Sequence, residues 1–134
     1  MEQNQYMRWL QRYENFKKAF NYLVNALAIN NPSETERAGI IQFYEIAFEL
    51  AWKTLKDLLT EEGFIVKSPR DAIKIAFQAG YIMDGHTWLE ALEDRNLTVH
   101  TYDEDTALNV LRKIQTDYYP VLEQFNQWAQ QQNK

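Results

Sequence analysis

The sequence predicts an all-α protein, an up-and-down antiparallel helical bundle of about five helices, three long and two short. Three observations carry this. Only four Gly and three Pro interrupt 134 residues, so long helices meet few breakers. Apolar residues recur at steps of three and four through most of the chain, the period of a helix with one buried side. Ser, Thr and Asp stand where these runs begin, often with an acid three residues on, which is the pattern of helix caps.

The first helix spans about residues 5–30, with Tyr6, Trp9, Tyr13, Phe16, Phe20, Leu23 and Leu27 on one side. Asn30-Asn31-Pro32 ends it, and Ser33 with Glu36 forms a capping box for the second helix, about residues 34–62. Apolar positions from Ile40 to Leu59 nearly encircle that helix, so it is either central or covered by another subunit. Its polar end, from Lys53 to Glu62, is expected in solvent, and Gly63 caps it. Phe64-Ile65-Val66 is strand-like but too short for a sheet. Ser68-Pro69-Arg70-Asp71 opens a short helix with Ile73, Ala76 and Phe77 inward, and Gly80 stops it. A fourth helix starts near Thr87, boxed by Glu90, buries Trp88, Leu89, Leu92 and Val99, and ends around His100 to Tyr102. The last starts near Asp103 and carries Ala107, Leu108, Leu111, Ile114, Tyr118, Val121, Leu122, Phe125 and Trp128. Pro120 lies inside that stripe and predicts a kink, and the tail from Gln130 is expected to fray.

No linker or repeat divides the chain, so residues 1–134 form one domain, and 46% hydrophobic residues supply its core. No cysteine is present, which excludes disulfides and thiolate metal sites. The two histidines, His86 and His100, lie in no metal-binding spacing, so neither a metal nor a cofactor is expected. A net charge of −5 argues against a general nucleic-acid binder, though not against an enzyme that holds RNA at one local site. No run approaches the roughly 20 apolar residues of a membrane span. The polar start, MEQNQYMRWLQRYE, has no apolar signal core, so a cytoplasmic location is expected.

Reactive side chains are densest from Glu93 to Glu104. Asn96 and His100 are four apart and share a helix face. Arg95 and His100 are five apart, about 140° around an ideal helix, so spacing alone does not join them. Functionally, His100 passes protons near neutral pH and Arg95 presents a permanent fork of donors to phosphate. That is enough to cleave a phosphodiester that brings its own nucleophile, as RNA does with its 2′-hydroxyl. The alternative is structural: Arg95 pairs on the surface with Asp94, Glu93 or Asp103, and His100 caps a helix end. His86, beside the Asp84-Gly85 turn, reads as solvated.

Arg95-Asn96-Leu97-Thr98-Val99-His100 resembles the Arg-x4-His signature of the HEPN superfamily, with Asn after the Arg. Tyr102 completes the extended form Arg-x4-His-x-Tyr of HEPN proteins partnered with a minimal nucleotidyltransferase. The segments from Phe48 to Lys56, from Ser68 to Asp71 and from Leu92 to Asn96 resemble the same group, also described as nucleotidyltransferase substrate-binding proteins. The resemblance spans about residues 43–119. It implies a HEPN-like bundle, a homodimer with two motifs along a shared cleft, and a metal-independent ribonuclease toxin. In that reading His100 handles protons, Arg95 holds the scissile phosphate, and Asn96 and Asp94 support them. The partner nucleotidyltransferase, as antitoxin, transfers AMP to Tyr102, and the added charge repels RNA. The same resemblance leaves open a non-catalytic subunit that binds substrate or docks onto the nucleotidyltransferase.

Overall fold

The computed structural model describes residues 2–95 and 103–132, with side chains from Arg8 onward. It contains α1 (Glu2–Leu27), α2 (Glu34–Glu61), α3 (Pro69–Gln78), α4 (Gly85–Asp94), α5 (Glu104–Lys113), a π-helical turn (Ile114–Tyr118) and α6 (Tyr119–Gln132). No strand occurs among the described residues. Of the expected buried side chains, Tyr6 and Val99 lie outside those described.

Pairings between helices give the topology. Arg12 meets Asp57 and Tyr22 stacks on Phe43, so α1 and α2 run antiparallel. Phe16 meets Phe125 and Phe20 meets Tyr119, so α6 also opposes α1. Trp88 meets Phe125 while Asp94 meets Tyr118, so α4 opposes the last helix. The order is up, down, up, down, with α3 as a short connector, and the protein is the antiparallel bundle that its periodicity predicts.

Most apolar positions of α2 are buried within the one chain, among them Ile40, Tyr44, Phe48, Ala51 and Leu55. Of the two readings of this helix, central or subunit-covered, its packing fits the first. Its far end is less solvated than expected, because α1 covers it: Thr54 and Asp57 are buried. The Thr54 hydroxyl donates to the Leu50 carbonyl at 2.7 Å, and Arg12 Nε reaches Asp57 at 2.7 Å.

Caps set the helix starts. Ser33 Oγ accepts from Glu36 N at 3.1 Å and Ser33 N donates to Glu36 Oε1 at 2.8 Å, the expected box. Ser68 caps α3 with Pro69 in its first turn. At α4 the expectation is corrected. Asp84, not Thr87, is the N-cap, and it accepts from Thr87 N at 3.1 Å and Thr87 Oγ1 at 2.7 Å. A carboxylate is the stronger acceptor for the amides of a helix start, so it takes the cap. The helical residues of α4 end at Asp94, six residues short of His100.

Three further expectations are corrected. Phe77 is 51% exposed, because α3 buries Ala72, Ile73 and Ala76 and leaves the ring beside Gly85. Leu108 is 39% exposed, and Val110 takes the inward place on α5. The tail is helical further than expected, since α6 runs to Gln132, and 133–134 lie outside the described residues. The irregularity expected at Pro120 takes the form of the π turn just before it. Proline lacks an N–H and its ring crowds the carbonyl four residues back, and the wide turn relieves both, with Tyr119 N donating to Ile114 O.

No described helix is long and apolar enough to cross a membrane.

Candidate functional site

Arg95 is the C-cap of α4, and its N–H donates to the Ala91 carbonyl at 3.1 Å. Its partly exposed guanidinium reaches across to α2, where Nη1 donates to Glu49 Oε1 at 3.2 Å. The other Glu49 oxygen accepts from the indole N–H of Trp52, one turn further along α2. One carboxylate on the central helix therefore orients the motif arginine. The surface partners expected for Arg95 are engaged elsewhere: Glu93 faces Arg70 at 3.4 Å, and Asp103 is the N-cap of α5, accepting from Thr106.

Asp94 turns inward. Its Oδ2 accepts from the Tyr118 hydroxyl, presented by the π turn, and from Lys113 Nζ at 3.0 Å. The three residues that end α4 thus tie it to three other parts of the bundle. Glu93 binds α3, Asp94 binds the end of α5 and the π turn, and Arg95 binds α2. Asn96, His100 and Tyr102 lie outside the described residues. His86 is exposed, as its turn position suggests.

Tyr44 stacks on Tyr118 with ring centroids 5.5 Å apart, and its buried hydroxyl has no hydrogen-bond partner among the described residues. Burial and then the Asp94 charge raise the Tyr44 phenol well above 10.0. Burial, the hydrogen bond to Asp94 and its charge do the same for Tyr118. Tyr13, which donates to the Asn126 side chain at 2.9 Å, is pushed up to about 12 by burial and by Glu14. These folded-state values lie above those of the unfolded chain. The stability they contribute is full below about pH 10 and is lost as pH rises toward the folded values, at up to about 1.4 kcal/mol per pH unit for each tyrosine. The melting temperature is therefore expected to hold from pH 7 to 9 and to fall steeply above about pH 10, less steeply in Tyr118→Phe. Equal slopes for the two proteins in melts followed by circular dichroism would contradict this assignment.

Glu49 and Trp52 are the site residues that sequence reading missed. The one available signal was an acid set inside the apolar run of α2, between Phe48 and Leu50, one turn after Glu45.

The comparisons with known proteins agree with this architecture. Residues 11–131 match the family model described as "nucleotidyltransferase substrate binding protein like". The chain belongs to this family. Its HEPN-type resemblance, drawn from the motif and its flanks, is borne out. A crystal structure of a protein from Thermus thermophilus is 35% identical, with a TM-score of 0.76 over 82% of this chain and 94% of that one. A Haemophilus influenzae protein named "Probable ribonuclease HepT" is 31% identical over an alignment of 86 residues that covers 60% of this chain. The match spans 59% of that relative's length.

Proposed function

We propose that the protein is a cytoplasmic, metal-independent ribonuclease of the toxin type, held in check by a minimal nucleotidyltransferase that adenylylates Tyr102. The observation that carries this is the setting of Arg95. The motif arginine stands on a fixed helix end, partly exposed, with its guanidinium oriented by Glu49. The H. influenzae relative named as a ribonuclease supports the same reading.

In the reaction the RNA 2′-hydroxyl attacks the adjacent phosphorus, and the bond to the 5′-oxygen breaks. His100 takes the proton from the attacking hydroxyl, a proton returns to the leaving oxygen, and a cyclic phosphate remains. Arg95 offsets the charge gathering on the phosphate oxygens, Asn96 orients His100 or the substrate, and Asp94 holds the helix end that carries Arg95. In the silencing step the Tyr102 hydroxyl attacks the α-phosphorus of ATP, pyrophosphate leaves and the phenol proton passes to solvent. The homodimer belongs to this reading. Its support is that large apolar side chains, among them Ile46, Ile65, Phe77 and Met83, are left exposed.

The family's description favours a second reading, a non-catalytic subunit that binds substrate for the nucleotidyltransferase. Purified protein, shown by mass to carry no AMP, is expected to cut RNA in EDTA and to stop once Tyr102 is adenylylated. No cleavage by the unmodified protein would leave the substrate-binding reading in its place.

A further inference from the structure

The chain is acidic overall, yet four basic side chains outside the motif come together between α1 and α2. Arg8 and Arg12 of α1 face Lys53 and Lys56 of α2 across a cavity of about 220 Å³ that also touches Trp52 and Asp57. A second cavity of about 220 Å³ shares Arg8 and Arg12 and continues along α1 to Asn15 and Leu50. Together they make a groove longer than one phosphate. The single acid in it among the described residues, Asp57, is spent on Arg12 at 2.7 Å. Arg8, Lys53 and Lys56 have no ion-pair partner among the described residues. Lys53 instead lies over the Trp52 ring, 6.0 Å from its centroid. One carboxylate does not balance four cations, so the groove keeps a local positive charge on a chain of net charge −5 and attracts anions.

The groove also has a direction. Trp52, in its wall, donates to one oxygen of Glu49, and Arg95 donates to the other. The basic cavity and the motif arginine are therefore separated by one carboxylate.

We propose that this α1–α2 groove binds the phosphodiester backbone of single-stranded RNA and delivers it to Arg95, an inference that rests on the ribonuclease reading above. Trp52 is buried and offers no face for stacking, so the groove reads phosphate rather than base and confers little sequence preference.

The test uses the full-length chain carrying His100→Ala, which binds RNA without cutting it, and a fluorescent single-stranded RNA 20-mer followed by anisotropy. Lys53→Glu/Lys56→Glu is compared with Lys67→Glu/Lys74→Glu, an equal charge change on exposed lysines outside the groove. Circular dichroism checks that both pairs remain folded. The groove pair is expected to weaken binding at least about tenfold and to flatten the salt dependence by about 1.4 in log–log slope, roughly 0.7 for each lost phosphate contact. The control pair is expected to change neither by more than about twofold. Equal weakening by both pairs, or by neither, overturns the groove. The same pairs with His100 intact separate the two readings. Binding lost in the groove pair while no version cuts RNA keeps the groove and removes the ribonuclease. Undiminished binding and cleavage in the groove pair removes the groove and keeps the ribonuclease.

Discussion

His100→Ala is expected to slow RNA cleavage by about 10²–10⁴-fold, the usual worth of a positioned acid or base. Arg95→Ala is expected to cost about 10²–10³-fold, as loss of a preorganised donor to a transition-state oxyanion does. Both are read as initial rates in EDTA on protein free of AMP. Arg95→Lys keeps the charge but loses the planar fork that spans two phosphate oxygens and reaches Glu49, so it falls between alanine and the parent. If the two residues serve one step, the double variant is no slower than the slower single one, because groups that act as a unit are not additive. An Arg95→Ala protein that cuts at the parent rate would take the phosphate-holding role away from Arg95.

Phe125→Ala is expected to destabilise the fold by about 4 kcal/mol, in the range for emptying a buried aromatic site. Phe125 is fully buried, and its ring meets Phe16 edge-on at 5.1 Å and Trp88 edge-on at 5.9 Å. It thereby joins α6 to both α1 and α4. Neither large neighbour can collapse into the gap without losing its other contacts, such as that of Phe16 with Phe20 and that of Trp88 with Phe48. At about 4 °C per kcal/mol for a domain of this size, the melting temperature falls by roughly 15 °C. Phe125→Leu retains most of the volume and is expected to cost less than about half as much. A loss below about 1 kcal/mol in urea titration of the alanine variant would show that the three rings do not form a shared core.

The fold was legible because its signals are local. The period of three and four, the Ser33–Glu36 box and Ser68-Pro69 each act within one or two turns, and each has its expected consequence. The misses come where two local signals compete or where a distant element decides. Asp84 outbids Thr87 for one set of amides. Phe77 sits at the edge of its stripe, and what lies above that edge is set by another helix. The motif itself was legible as a pattern, but the helix end at Arg95 was not, since the expected end lay near His100 to Tyr102. Its partner was not legible, because Glu49 is 46 residues away and ion pairs across a bundle leave no periodic trace. The same holds for Asp94 and Tyr118, 24 residues apart.

The end of α4 stands like a tripod, and its legs are unequal. The Glu93–Arg70 leg is exposed and weak, the Arg95–Glu49 leg is intermediate, and the Asp94 leg is buried and doubly bonded. The steadiness of Arg95 is therefore borrowed mainly from its neighbour in the chain. Accuracy at the motif then depends on Lys113 and Tyr118, which act through Asp94, and tolerance to mutation around it follows how deeply each leg is set rather than how near a residue lies to the motif.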